Sequence, residues 1–500
     1  MEINIPINPG RVLFGLSRIG YTPSSAICDI IDNSIMAKAN NIYIHIERDN
    51  ERYADNRRGN VKEYLIIDDG NGMDENTMLR ALELGSPEEF YNNSTLSKFG
   101  LGLKSATFSQ GDELELISGQ NGVFNKFIVS LTKVQEQGRY FASKVELSQN
   151  DLGIIAKFIS KGYGTIVKIG KVRKEGHPSI KHTIDELKKK IGVIYCYFIK
   201  ENGLNIYIEN SNIQAIDVLF TDEAMENGNL DENIWNGKEV RWIEKPKDLI
   251  LDIDSNIKVT IEVTQLPHPP TFRIEDRGAD SMIRDKYLIE ASNYGFYVYR
   301  NKRLISWAET FNGIIPANQD LYSFRGRILI DDSADDVFNI DVKKSTLTLS
   351  DEAWNTISDN AQEYKRKSVK AWNRAKSLVQ EKSIEETNQQ SNSIIDTLEI
   401  PETLPGIELA SEQIINEVEL LVLDASKVRL EKIKNLVKED LKSNNENENI
   451  DFESENGKRE IELTALKGEN NPYAKKYLEF NILKIMYFGN LIMIQITATV

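Results

Sequence analysis

Apolar residues recur with two periods along the N-terminal part of the chain. In "SSAICDIIDNSIMAKA", Ile27, Ile31 and Ile35 share one face at helical spacing. Thr22-Pro23 just before them reads as an N-cap and a first helical residue. "NIYIHI" and "EYLIIDDG" then alternate as strands, and the second turns straight back on the first as a hairpin-like pair. Asp74 to Leu84 predicts a helix, residues 85–98 a polar loop, and a further helix starts near Leu101. "ELELISG" returns as a strand, and alternating segments continue to about Gly170. This order predicts an α/β sandwich rather than a Rossmann domain.

Beyond Lys190 a second α/β region runs to about Ser350, with "GFYVYRNKRLI" (295–305) as its clearest element. Residues 351–382 predict a long helix and 383–400 a polar linker. Residues 401–442 predict a helical segment, and the low-complexity stretch 443–458 a disordered linker. The last segment, 459–500, is strongly apolar near its end. Lys484, Gln495 and the Gly489-Asn490 turn interrupt it, so it reads as strand-rich rather than as a membrane helix. It breaks off in mid-strand, so the C-terminus is expected to be truncated. No solenoid repeat is visible.

Composition narrows the choice. The chain has 500 residues, 40% hydrophobic and 28% charged, which suits two or three globular domains. Two cysteines, Cys28 and Cys196, exclude a disulfide framework and a zinc site made of cysteine alone. "MEINIPINPG" has neither the basic start nor the apolar core of a signal peptide, so a cytoplasmic setting without membrane is expected. The net charge of −16 opposes nucleic acid, but its distribution is uneven. Lys171, Arg173, Lys174, Lys181, Lys188, Lys189 and Lys190 form one basic run; Lys365, Arg366, Lys367, Lys370, Arg374 and Lys376 form another. Each reads first as a solvated face and only second as a nucleic-acid contact. Trp372 among the later charges reads as a packing residue rather than a base stacker.

Four stretches carry candidate chemistry. "DIIDN" places the Asp29 carboxylate and the Asn33 amide one helical turn apart on one face. A carboxylate can orient or deprotonate water, and an amide oxygen suits magnesium; alone, the pair would be an ordinary polar helix face. "IIDDGNGM" ends an apolar strand in Asp68-Asp69 and a Gly-Asn-Gly turn. Asp68 there can accept from an adenine amino group, with Gly70 and Gly72 letting backbone approach the base and ribose. The competing calcium-loop reading lacks the required acidic spacing. "KFGLGLKSA" is not the phosphate loop of Gly-x4-Gly-Lys-Ser/Thr form, because Leu103 separates Gly102 from Lys104. Gly100 and Gly102 instead free backbone N–H groups at a helix start, an anion site to which Lys104 adds charge. "GYGTIVKI" sets Thr165 before a strand, where its hydroxyl could back the base site through water.

In this order the four stretches resemble the GHKL ATPase superfamily, over about residues 10–170. "DNS", "DDGNGM" and "FGLGLKSA" look most like its MORC branch and bacterial relatives. The resemblance implies ATP and magnesium (Mg2+) as cofactors, a GHKL (Bergerat) domain over 1–190 and a transducer domain of left-handed βαβ type over 191–350. It implies Asp29 as the catalytic carboxylate, where the family has glutamate, and Asn33 as the magnesium ligand. It implies nucleotide contacts from Asp68, Gly70, Gly72, Met73, Lys98, Gly100, Leu101, Gly102, Leu103, Lys104, Ser105 and Thr165, under a lid of about residues 73–104. Asp29 is one methylene shorter than glutamate, so slow turnover is expected; Met36 also departs, standing where MutL-like members have Asp. "FNIDVKKSTLTLS" resembles the transducer's lysine loop, giving Lys344 the reach to the γ-phosphate, with Lys343 as the competing register. By family, the chain is expected to dimerise on ATP binding, to clamp double-stranded DNA without reading sequence, and to work beside a nuclease or methyltransferase in phage defence. A chaperone-like ATPase and a non-hydrolysing ATP sensor remain the alternatives. A histidine kinase is disfavoured, because His45, His177, His182 and His268 form no dimerisation-helix pattern. A MutL-type nuclease is disfavoured for want of an acidic/histidine cluster after residue 351.

Overall fold

The computed structural model describes residues 8–396 except 19, 51, 53–54, 86–100, 253–256, 274–277, 312 and 339–348; the side chains of 252, 336 and 383–396 also stand outside it. Lys98, Gly100, Lys343, Lys344, residues 86–100 of the expected lid and every segment expected beyond 396 therefore lie outside the described residues. The chain divides into two compact units: 1–235 with 239–267 and 282–371, and 236–238 with 268–281 and the chain from 372 on.

The first unit holds two sheets. Strands β1 (Asn41–Arg48), β2 (Val61–Asp68), β3 (Gly111–Gln120), β4 (Val123–Ser130), β5 (Ser143–Val145), β6 (Gly164–Val172), β7 (Asn205–Ile208) and β8 (Ser211–Asn212) form a sheet in the order β5-β4-β3-β6-β2-β1-β7-β8. The β1–β2 pair is antiparallel, as the sequence pattern predicts, with Ile44 opposite Ile66. Period-two burial of Ile42, Ile44 and Ile46 gives the sheet one apolar face. Helices α1 (Pro9–Ser17), α2 (Pro23–Met36), α3 (Glu75–Leu82) and α4 (Gly102–Gln110) supply that face's cover, joined later in the chain by α5 (Leu131–Gln137). The opposite face packs Ile67, Ile117 and Ile166 against α6 (Gln149–Phe158) and Ile159. The architecture is an α/β sandwich.

Helix α2 starts as its sequence dictates. The Thr22 hydroxyl accepts from Ser25 N–H, Ser25 returns the bond to the Thr22 backbone, and Pro23 takes the first helical position. Ile27 and Ile31 are fully buried and Ile35 is half-buried, so the stripe faces the sheet.

The first sheet runs past the expected boundary at Lys190. Helix α7 (Ile180–Ile194) crosses that position with Leu187 and Ile191 buried, and β7 then pairs parallel with β1. Lys188 and Lys189 form the solvated side of this one amphipathic helix. The basic run is also neutralised locally. Lys168 pairs with Asp151 at 2.7 Å, Lys171 with Glu113 at 2.6 Å, Arg173 with Asp112 at 2.5 Å, Lys174 with Asp49 at 2.5 Å and Lys190 with Glu186 at 2.6 Å. The run therefore carries less free charge than its sequence suggests.

The second sheet comprises β9 (Arg241–Asp252), β10 (Ile257–Gln265), β11 (Gly295–Arg300), β12 (Arg303–Glu309) and β13 (Phe324–Ile330), in the order β12-β11-β13-β10-β9. "YRNKRL" is a two-residue hairpin: Arg300 pairs with Arg303, and Asn301 and Lys302 take φ of 47° and 70°. Positive φ at both central positions makes a turn whose twist matches the strands. Tyr299 of β11 donates to the Val193 carbonyl at 2.8 Å, and Leu304 packs with Val193, Val218 and Leu219. The two sheets thus share a small apolar cluster. A helix from Asp351 to Asp396 lays Ala353, Ile357, Ala361 and Tyr364 on the second sheet's core. It continues through the start of the segment expected as a linker, because 383–396 contains neither Gly nor Pro to stop it.

In the second unit, His268 accepts no helix cap; its Nδ1 lies 2.8 Å from the Thr271 hydroxyl and its ring meets Trp372 edge-on. Trp372 is buried, in keeping with a packing role. No helix among the described residues is long and apolar enough to cross a membrane.

The α2 stripe yields a graded expectation. Ile31→Ala removes a fully buried side chain and should cost about 2–5 kcal/mol, and Ile35→Ala, half-exposed, clearly less. Urea midpoints of the two variants check the order; equal losses would contradict the packing described.

Candidate functional site

Three strands in register build the floor of the site. Asp68 at the end of β2 stands opposite Thr165 of β6, and Thr165 stands opposite Ser118 of β3. Asp68 Oδ1 accepts from Gly70 N–H at 3.0 Å and Oδ2 from the Ser34 hydroxyl at 2.9 Å. The Thr165 and Ser118 hydroxyls are 2.8 Å apart, and Ser118 also accepts from Met73 N–H at 2.9 Å. Burial pushes the Asp68 carboxyl up to about 6, against the bonds from Gly70, Ser34 and Thr165 that favour its charge. Asp69 points elsewhere: its carboxylate accepts from Asn40 N–H, Asn41 N–H and the Asn41 amide. Of the two neighbours, Asp68 is thus the one on the Ser34 side.

The glycines after β2 have a reason the sequence does not reveal. A Cβ on Gly72, at φ +61°, would lie 1.9 Å from the Gly119 carbonyl oxygen. One on Gly70 would lie 2.7 Å from the Ala37 carbonyl. Asn71 N–H donates to that same Ala37 oxygen at 2.7 Å, clamping the turn onto the end of α2. Protein backbone demands these glycines, where ligand approach was the expected cause.

Gly102 is the opposite case. It opens α4 after Leu101, whose side chain provides no cap, and a Cβ there would meet nothing within 4 Å. The first N–H groups of a helix have no partner within the helix, so this start is suited to an anion. Ser105 turns its hydroxyl back to the Leu101 and Gly102 carbonyls. Lys104 does not extend freely from the first turn: its ammonium donates to the Ala81 carbonyl at 2.9 Å, and burial pushes it down to about 8.

A cavity of about 200 Å³ lies between these parts. Asn33, Asp68, Gly72, Met73, Gly102, Leu103, Lys104 and Thr165 line it, with apolar walls from Ile30, Leu116 and Val167. Typical small-molecule sites hold roughly 300–1,000 Å³, so the described walls suit one end of a larger ligand. Asp29 lies one turn back along α2. Tyr21 donates to its Oδ2 at 2.6 Å, and Arg303 of the second sheet brings Nη2 to 3.8 Å from its Oδ1. Arg303 Nε donates to Asp32 Oδ1 at 3.0 Å. Tyr21, Ser34, Ser118 and Arg303 escaped sequence reading, since none lies in a recognisable spacing; only Ser34, inside "DNS", adjoins one.

Residues 21–165 match the family described as histidine kinase-, DNA gyrase B-, and HSP90-like ATPase. This segment is a GHKL-type ATPase domain. The match begins at Tyr21 and ends at Thr165, both of them residues of the site. A stretch of 117 residues, 23% of this chain, is 29% identical to ATPase morc-1 of Caenorhabditis elegans and covers 12% of that protein. The GHKL domain here is thus MORC-like, and the chain matches only a small part of that relative's length.

Two outcomes follow for the domain. Gly72→Ala should lose stability by about 1–3 kcal/mol from the strained φ alone, while Gly102→Ala should hold or gain up to roughly 1 kcal/mol. Thermal midpoints decide it, and a tolerated Gly72→Ala would contradict the turn. Asp68 gives a pH signature. An ordinary aspartate titrates near about 3.9, and Asp68 titrates at about 6 when folded. Between these values the folded state holds a proton that the unfolded state has lost, so this group's contribution to stability falls as pH rises through the window and levels off above it. Asp68→Asn cannot titrate, so its midpoint relative to the parent should climb from pH 4 to 6 and then flatten; a flat difference would refute the buried charge.

Proposed function

We propose that this chain binds ATP in the cavity and hydrolyses it slowly, as an ATP-gated dimeric clamp of the MORC/MutL kind. The observation that carries this is the convergence of Asn33, Asp68, Gly102, Lys104 and Thr165, distant in sequence, on one cavity. Asp68, with Thr165 and Ser118 behind it, accepts from the adenine amino group. The open start of α4 at Gly102 receives the phosphates.

Asn33 lines the cavity, and its side chain carries a hard amide oxygen of the kind that suits magnesium. Magnesium is commonly held by one or two carboxylates plus substrate phosphates. When bound, the ion neutralises charge developing on those phosphates. Asp29 takes the proton of the attacking water, and its short side chain makes the step slow.

Nucleotide contacts order the lid and favour a dimer by differential affinity. Lys344, or Lys343 in the other register, completes the γ-phosphate site. Action on DNA in the cytoplasm, beside a restriction or phage-defence enzyme, rests on the MORC likeness. The helix 364–376 lends it limited support, since Lys367 pairs with Glu363 at 2.7 Å and Lys370 lies 3.8 Å from Glu232. A second reading, an ATP sensor without turnover, is favoured by the short side chain of Asp29, where the family has glutamate.

Nucleotide titration with phosphate release tests the proposal. Asp29→Asn should keep ATP binding and lose about 10²–10⁴-fold in rate; Asp68→Asn should lose binding. A parent protein that binds ATP without releasing phosphate would select the sensor. An unchanged sedimentation mass with a non-hydrolysable analogue would remove the clamp.

A further inference from the structure

The tight hairpin of the second sheet delivers a cation to the carboxylates of α2. Asn301 and Lys302 occupy the turn, so Arg303 is the first residue of β12 and its origin is fixed by the turn geometry. Lys302 anchors the tip to Glu201 at 2.6 Å. The Arg303 side chain runs into the first lobe, where Nε meets Asp32 Oδ1 at 3.0 Å and Nη2 stands 3.8 Å from Asp29 Oδ1. Nη1 donates to the Leu304 carbonyl at 2.8 Å.

The two carboxylates are not held alike. Asp32 is fully buried and also lies 2.8 Å from the Tyr195 hydroxyl, whose single proton it shares with the Cys28 carbonyl at 2.7 Å. That pair is structural, for a buried guanidinium needs a partner. Asp29 is only half-buried, and 3.8 Å is longer than a hydrogen bond. Arg303 therefore attracts Asp29 without locking it. On the other oxygen Tyr21 donates at 2.6 Å. Asp29 thus sits between the Tyr21 donor and a cation tied to the second sheet. Burial works against the charge of Arg303, but Asp32, Tyr195 and Asp29 outweigh it, so the cation is permanent.

We propose that Arg303 and Tyr21 are positioning residues for Asp29, and that through Arg303 the second sheet sets whether that carboxylate is aimed for water activation. This rests on the reading of Asp29 as the hydrolytic carboxylate. A displacement of the β11–β12 hairpin relative to α2 would swing Asp29 while leaving Asp68 and the base end of the cavity alone. Turnover would then respond to the second sheet independently of nucleotide affinity.

The test uses the full chain with Arg303→Lys, Tyr21→Phe and Asp29→Asn, measuring thermal midpoint, analogue affinity, and kcat across pH. Lysine keeps the charge but lacks the planar fork that reaches both carboxylates. Both positioning variants should keep analogue affinity and lose about 10–100-fold in kcat, the scale of a small misplacement. In Tyr21→Phe, the pH below which turnover fails should rise, because a donor to the ionised carboxylate is gone. Parent-like kcat in both, with Asp29→Asn inactive, would overturn the positioning role alone. Affinity and midpoint falling in step with kcat would mark a merely structural role and also overturn it. Parent-like turnover in Asp29→Asn would instead bring down the reading of Asp29 itself.

Discussion

The antiparallel register of β2, β6 and β3 is the constraint on which the site depends. Side chains alternate along a strand, so adjacent residues serve opposite faces. Ile66 packs into the helix-covered core and Ile67 into the core under α6. Asp68 therefore shares the face of Ile66, beneath α2, and reaches Ser34 there. A one-residue slip would exchange the faces and present Asp69 instead. The register also sets Thr165 beside Asp68, so a burial that disfavours the carboxylate's charge is offset only in part by donors from Gly70, Ser34 and Thr165.

Charge follows a similar logic. A basic run in sequence says only that cations are close along the chain. In the folded domain Lys171, Arg173 and Lys174 each face an acid from another strand or loop, so the run presents little net field. Exposed pairs of this kind are worth about 0–1 kcal/mol each; they serve solubility and local order more than stability. The cations that matter are the buried ones. Arg327 lies between Asp217 at 2.9 Å and Glu262 at 2.5 Å, and Arg303 faces Asp32 and Asp29. Both come from the second sheet, one within it and one reaching across to α2. Removing either would strand a buried carboxylate, which is why such pairs fix geometry even where they add little stability.

Local chemistry was legible in the sequence wherever one element decides it. The Thr22-Pro23 start, the Ile27–Ile31 face, the β1–β2 pair and the element at "GFYVYRNKRLI" depend on neighbours in the chain, and the fold carries them as expected. The α/β class follows from their order. What depends on pairing between distant strands was not legible. The return of β7 to the first sheet needs a parallel partner far upstream, and nothing in four residues of "NIYI" names it. Tyr21, Ser118 and Arg303 enter the site only because the sheet register and the hairpin bring them there. Lys104 was read as adding charge at the helix start, and its helix directs it to the Ala81 carbonyl, a partner no spacing rule supplies.

The glycines make the same point about motifs in general. A Gly-x-Gly pattern has two physical causes that sequence cannot separate: a backbone that tolerates no Cβ, and a surface kept bare for something else. Gly70 and Gly72 have the first cause, since a Cβ on either would strike a carbonyl of α2 or β3. Gly102 has no such need, because space surrounds its missing Cβ at the start of a helix and beside the cavity. A glycine also weakens a helix relative to alanine, so packing within the described residues gives no reason for it there. Under the ATP reading proposed above, the open helix start would be the phosphate end of the cavity and the end of β2 the base end.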